Sequence, residues 1–158
     1  MKNSHELKLA TYLDVPKLLI AAEKAYKESP YEGKIAYDAT RAEDMILQLL
    51  SLGPEKAIII YSENEDGEVI GILSAMITYT IAGLEKIALE VLWWVDKSAR
   101  LSRLSIKFMQ AMEYWARKLE VSKTIMGNME NEHASAVEKF YIRQGYTKAE
   151  TTFIKILE

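Results

Sequence analysis

The residues best suited to chemistry lie in a short stretch where an apolar run ends and an amphipathic pattern begins. Lys97, Arg100 and Arg103 place three cations around the start of this predicted helix. The amino terminus of a helix carries a partial positive charge, so each cation there costs on the order of 0.3–1 kcal/mol. Free backbone N–H groups at the same place can hold an anion. The pattern predicts a phosphate site formed by Arg100, Leu101, Ser102, Arg103, Leu104 and Ser105.

A second candidate is Glu90, a carboxylate within an otherwise apolar strand predicted over residues 87–95. A buried carboxylate must be paired, reach a cavity or be neutral, because leaving it charged and unpaired is costly. Burial would raise its pKa, which suits a general base near neutral pH. The alternative is a structural ion pair between Glu90 and a lysine or arginine on a neighbouring strand.

Two further polar residues, Asn131 and Tyr141, lie before and within the last predicted helix. From the residues alone, Tyr141 is a core residue with its hydroxyl at the surface. Asn131 lies before the helix and is of a type that favours the N-cap position, so from the residues alone it is an N-cap residue. Neither residue is assigned a chemical role by its position alone.

The pattern of apolar residues predicts the elements that position these candidates. The expected order is β-α-α-β-β-β-α-β-α-β, an α/β (α+β) domain with a mixed central sheet flanked by helices. The fourth and fifth strands are joined by a long helix and should be parallel. The predicted strands cover residues 6–10, 57–61, 69–81, 87–95, 123–126 and 146–157.

Composition limits the function further. The 158 residues suit a single domain, 1–158, and carry a net charge of −3, which argues against nucleic-acid binding. There are no cysteines and only two histidines, so no metal site is expected. The sequence has neither a signal peptide nor an apolar run of the length that spans a bilayer. We therefore expect a cytoplasmic protein that does not bind membranes.

Two motifs resemble those of the GNAT (Gcn5-related N-acetyltransferase) superfamily, and the element order is similar over nearly the whole chain. Residues 95–100, Val-Asp-Lys-Ser-Ala-Arg, look like the V-D-P-x-x-R that leads into the family's acetyl-CoA loop. Residues 140–146, Phe-Tyr-Ile-Arg-Gln-Gly-Tyr, look like its (L/F)-Y-x-x-x-G-(F/Y) motif. The Trp-Trp-Val-Asp strand end and the closing Gly-Tyr-Thr-x-x-Glu are similar to members encoded by phages and prophages.

The resemblance implies transfer of an acetyl group from the cosubstrate acetyl-CoA to a primary amine, by direct attack in a ternary complex. Glu90 would be the base and Tyr141 would protonate the leaving thiolate. The implied cofactor-binding residues are Val95, Arg100, Leu101, Ser102, Arg103, Leu104, Ser105 and Asn131. The acceptor would be a small-molecule or peptide amine, and the resemblance also suggests a homodimer.

The acetyl-CoA loop departs from the family pattern of Arg/Gln-x-x-Gly-x-Gly/Ala at both glycines. Arg103 and Ser105 stand in their places. Glycine is used where the backbone must approach a ligand closely, so Arg103 either points away or adds a charged contact to phosphate. The departure leaves open a non-catalytic GNAT-like module that acts in protein association.

Overall fold

The backbone of the computed structural model, which describes residues 5–100 and 102–157, forms a central sheet with helices on both faces. The strands are β1 Lys8–Leu9, β2 Ala57–Glu63, β3 Val69–Tyr79, β4 Lys86–Val95 and β5 Thr124–Ile125. The helices are α1 Val15–Lys27, α2 Ala39–Leu52, α3 Leu104–Lys118 and α4 Ala134–Arg143. Two single 3₁₀ turns, Tyr12–Asp14 and Lys97–Ala99, precede α1 and α3.

The five strands lie in the order β1-β2-β3-β4-β5. The pairs β1–β2, β2–β3 and β3–β4 are antiparallel, whereas β4 and β5 are parallel. The parallel pair follows from the long connection through α3, since a short turn can join only antiparallel strands. The predicted mixed sheet and its parallel pair are confirmed.

Each face of the sheet buries a separate apolar cluster. The first includes Leu18 of α1 and Ile72 of β3, and α2 also contributes to it. The second includes Leu73 and Phe108, and therefore lies between β3 and α3. Neighbouring residues of one strand point to opposite faces, which is why Ile72 and Leu73 belong to different clusters. The sheet is therefore flanked by helices, as predicted.

Helix α2 has a favourable residue at each end. The Asp38 carboxylate accepts a hydrogen bond of 2.8 Å from the N–H of Arg41, and Gly53 ends the helix with a φ of 74°. A positive φ strains any residue with a Cβ, so glycine suits this position. Across the described residues, no helix is long and apolar enough to cross a membrane.

The prediction of a final strand over residues 146–157 is wrong. The described part of this segment, which reaches Leu157, has no strand pairing. Phe153 is 89% exposed and Leu157 is 81% exposed. β-Branched and aromatic residues favour a strand only where they pack against neighbouring strands, and no such partner is present here. The observed order therefore lacks the last β of the prediction.

Helix α3 approaches the sheet closely at Gly71 of β3. A Cβ added there would lie 2.6 Å from a ring carbon of Phe108 and 3.1 Å from a methyl carbon of Leu104. Both side chains are fully buried, so neither can move into solvent. The absence of a side chain at Gly71 thus sets the position of α3, which begins at the candidate anion site.

We expect Gly71→Ala to lower the free energy of unfolding by about 1–3 kcal/mol, because it overpacks a closed core. Urea denaturation measures the loss. Phe108→Leu removes the clashing ring atoms, so the double variant should lose less than the sum of the two single variants. Additive losses would show that the Gly71–Phe108 contact is not the cause.

Candidate functional site

The turn between β4 and α3 is built by hydrogen bonds from short side chains to the nearby backbone. The Asp96 carboxylate accepts from the N–H of Ser98 at 2.9 Å and from its hydroxyl at 2.7 Å. The Ser102 hydroxyl donates to the carbonyl of Ala99 at 2.6 Å and accepts from the N–H of Leu104 at 3.2 Å. These contacts fix the path of the chain into the first turn of α3.

The first turn of α3 contains backbone N–H groups without an acceptor among the described residues. An α-helix leaves its first N–H groups without acceptors inside the helix. The N–H of Leu104 donates to the Ser102 hydroxyl, whereas the N–H groups of Arg103 and Ile106 have no acceptor among the described residues. Arg103 is the N-cap residue and its side chain makes no cap. Helix ends of this kind can bind anions, and the phosphate site expected here stays a prediction.

The two arginines of the predicted phosphate site have different surroundings. Arg100 donates from Nε to the carbonyl of Val95 at 2.9 Å and forms an ion pair with Glu28 at the end of α1. Arg103 is exposed and has no ion pair with any described residue. Arg100 thus ties the loop to β4 and α1, whereas the Arg103 side chain is the one of the two that is free to contact a ligand.

Strand β4 loses its β5 partner part-way along its length. The two strands pair only through Ala88 with Thr124 and Leu89 with Ile125. Residues 90–95 of β4 therefore have no strand partner on that side within the described residues. At a rise of roughly 3.3 Å per residue, this open edge is about 15 Å long. It runs from Glu90 to the start of the candidate anion site.

A β-bulge occurs in β4 where the open edge begins. Ser74 of β3 lies opposite Leu92, whereas the next residue, Ala75, lies opposite Glu90. Val91 is thus an extra residue in β4. A bulge bends its strand and redirects side chains, which suits the point where β4 and β5 separate.

Glu90 and Tyr141 meet at the backbone of Gly127, two residues after β5. The Glu90 carboxylate accepts from the N–H of Gly127 at 2.8 Å. The Tyr141 hydroxyl donates to the carbonyl of Gly127 at 2.6 Å. Within the described residues Glu90 has no ion pair, so the alternative of a structural ion pair is wrong.

The environment of this pair shifts both pKa values upward. Burial raises the pKa of Glu90, and the hydrogen bond from the Gly127 N–H opposes this in part. Burial also raises the pKa of Tyr141, with smaller contributions from Glu90 and Tyr146. The Tyr141 ring packs against Trp93 of β4 at 5.7 Å between ring centroids. The site therefore combines a carboxyl that holds its proton unusually tightly with a phenol that stays protonated.

No protein-family model and no curated protein matches this chain, but solved structures do. An aminoglycoside 6′-N-acetyltransferase from Acinetobacter haemolyticus is 16% identical, with a TM-score of 0.71 over 97% of this chain and 99% of its own. A glucosamine-6-phosphate N-acetyltransferase from Arabidopsis thaliana is 15% identical, with a TM-score of 0.68 over 99% of this chain and 100% of its own. AAC(6′)-Iy, in complex with the bisubstrate analogue CoA-S-monomethyl-acetylneamine, is 10% identical, with a TM-score of 0.72 over 99% of each chain.

The chain has the GNAT fold. At these identities the likeness establishes the fold alone, and these structures give no support to a phage-type member. The GNAT fold brings the predicted residues into two groups, one at Gly127 and one at the β4–α3 turn.

Two predicted residues fall outside these groups. Asn131 lies in the turn before α4, where its side chain accepts from the N–H of His133 at 2.8 Å, and His133 is the N-cap residue. Leu101 lies outside the described residues. The cofactor-binding roles expected for both stay predictions.

Sequence reasoning missed Glu28 and Gly127. Glu28 had a signal, because a carboxylate at the carboxyl end of a helix is unfavourable and needs a nearby cation. Gly127 had a weaker signal. It is a glycine directly after the short strand predicted over residues 123–126, a place where another group often approaches the backbone closely.

The different surroundings of the two arginines predict different effects of removing them. Arg100→Ala leaves the partly buried Glu28 without its cation and should lower the free energy of unfolding by about 1–2 kcal/mol. Arg103→Ala is the matched control and should change it by less than about 0.5 kcal/mol. Urea denaturation without ligand checks both values, and an equal loss in the two variants would contradict this assignment.

Proposed function

We propose that this protein is an N-acetyltransferase that moves an acetyl group from acetyl-CoA to a primary amine. One observation carries the proposal. The open edge of β4 has the amino-terminal end of α3, with Arg103 beside it, at one extremity and the Glu90–Tyr141 pair at the other. CoA has a matching shape, with phosphates at one end, an extended amide-containing arm and a reactive sulfur at the other.

The arm of CoA fits the open edge because its amides can pair with a strand. Unpaired backbone N–H and C=O groups on a strand edge accept an added extended chain. The phosphates would then bind the start of α3, through backbone N–H groups and Arg103. The proposal also keeps the other cofactor-binding residues expected from the sequence: Val95, Arg100, Leu101, Ser102, Leu104, Ser105 and Asn131.

In the proposed reaction the amine attacks the thioester carbonyl directly, within a ternary complex. The C–N bond forms, the C–S bond breaks, and Glu90 takes the proton that the amine loses, directly or through water. The Tyr141 hydroxyl turns its hydrogen from the Gly127 carbonyl to the leaving sulfur, to which it donates a proton or a hydrogen bond. Its raised pKa keeps that donor protonated across the neutral range.

The acceptor is proposed only as a class, a small-molecule or peptide amine. Aminoglycosides and glucosamine-6-phosphate belong to the names of structures below 20% identity and do not define the acceptor here. A cytoplasmic location and a homodimer are part of the same proposal.

A non-catalytic module for protein association is the second candidate. The observation that favours it is the loop sequence, where Arg103 and Ser105 replace the glycines of the family pattern. A side chain at either position limits how closely the backbone approaches a phosphate. This candidate predicts weak CoA binding and no acetyl transfer.

Titration calorimetry with acetyl-CoA separates the two candidates. We expect binding that Arg103→Ala weakens by about ten- to a hundredfold, since a charged hydrogen bond contributes about 1.5–3 kcal/mol. Lys118→Ala removes an exposed cation at the far end of α3 and serves as the control. Failure to detect binding at millimolar acetyl-CoA would sink the enzyme proposal.

The raised pKa of Glu90 predicts the pH dependence of acetyl transfer. Glu90 acts as a base only when it is deprotonated, so kcat/KM should rise with pH through a pKa above the ordinary 4.5 of a glutamate. Glu90→Gln should lower kcat by about 10²–10⁴-fold and abolish this acid limb. Transfer to a panel of amines, followed by thiol release, supplies the measurement.

Tyr141→Phe removes the proposed donor to the sulfur and keeps the ring packing. It should lower kcat while the acid limb of the pH profile remains, because Glu90 is still present. An acid limb that survives Glu90→Gln would contradict the role of that carboxyl.

A further inference from the structure

The backbone around Gly127 holds both side chains that the proposed function uses. Its N–H points to the Glu90 carboxylate at 2.8 Å, and its carbonyl accepts from the Tyr141 hydroxyl at 2.6 Å. These groups come from three separate elements: β4, the segment after β5, and α4. One residue therefore sets the spacing between the carboxyl and the phenol.

Gly127 also lacks the Cβ that would disturb this arrangement. A Cβ built there would lie 3.3 Å from the Glu90 carboxylate oxygen, closer than such contacts normally are. The φ of Gly127 is not positive, so the backbone itself does not demand glycine. Gly127 is also exposed, so no core packing requires a small residue there. What the missing side chain allows is the close approach of Glu90.

We propose that Gly127 is a positioning residue, whose backbone fixes Glu90 and Tyr141 relative to each other and whose missing Cβ admits the Glu90 carboxylate. The inference rests on the proposed function, because it assigns Gly127 a role in that reaction. A shift of a few tenths of an ångström at a base lowers a rate measurably, since proton transfer needs hydrogen-bond distances.

Few other charged groups face this cluster. On the α4 side Tyr141 faces Glu90, and Tyr146 lies beside Tyr141 with ring centroids 5.4 Å apart. From α3, Glu113 lies 3.4 Å from the Tyr146 hydroxyl and is paired with Arg117. Among the described residues, no cation forms an ion pair with Glu90, so the N–H of Gly127 is the contact that favours its charged form.

Gly127→Ala tests the proposal by kinetics. The added methyl group displaces the Glu90 carboxylate from the N–H that stabilises its charge. We expect kcat to fall about tenfold, the KM for acetyl-CoA to stay unchanged, and the acid limb of kcat/KM to move to higher pH. The direction follows because loss of a hydrogen bond to the charged form raises a carboxyl pKa.

The matched control is Glu130→Ala, an exposed residue of the same loop with no hydrogen bond or ion pair to the described residues. It should leave kcat and the pH profile as in the parent protein. A Gly127→Ala profile identical to that of the parent, or a change confined to the KM for acetyl-CoA, would overturn the positioning role.

Glycine-selective ¹⁵N labelling tests the contact without any turnover. The chain has seven glycines, and the Gly127 amide is the signal that disappears in Gly127→Ala. Its chemical shift should follow the titration of Glu90, and the titration should vanish in Glu90→Gln. An amide that does not titrate, or that still titrates in Glu90→Gln, overturns the inference. A titrating amide in a protein without acetyl transfer instead refutes the proposed function and, with it, the role of Gly127 in that reaction.

Discussion

Strand β4 continues after its last pair with β5, and its open edge requires hydrogen-bond partners. Backbone N–H and C=O groups in a protein interior are almost always paired, because an unpaired group loses its bond to water without replacement. β4 lies fourth of five strands, between β3 and β5, so the opening lies within the sheet and not at its margin. The opening exists because β5 is only two residues long.

The surrounding elements depend on this opening. The bulge at Val91 bends β4 where the partner is lost. Helix α3 starts where β4 ends, and Gly71 allows it to lie close against the sheet. Helix α4 follows β5, and its Tyr141 packs against Trp93 on the open part of β4. The interruption that leaves residues 90–95 of β4 without a strand partner thus runs between the Glu90–Tyr141 pair and the candidate anion site.

Local patterns predicted the elements well and the side-chain partnerships poorly. The parallel pairing of β4 and β5 was predicted from the length of the connection between them, and it is confirmed. The prediction of a final strand is wrong because a strand depends on a partner elsewhere in the chain. The partners of Arg100 and Glu90 were missed for the same reason. Glu28 and Gly127 are distant in sequence, and no spacing rule relates them to the residues they contact.

Glu90 and Tyr141 both contact Gly127, so the charge of Glu90 lies close enough to influence the pKa of Tyr141. The Glu90 charge is one cause of the raised pKa of Tyr141, since a nearby carboxylate disfavours a phenolate. In the proposed reaction Glu90 is neutralised when it takes the amine proton, and this part of the pKa elevation then disappears. Tyr141 becomes a better acid only after the amine has been deprotonated, which is when the departing sulfur needs a proton. Tyr141 stays buried throughout the reaction, and burial keeps its pKa raised. We therefore expect Tyr141 to donate a strong hydrogen bond to the sulfur and not to lose its proton early.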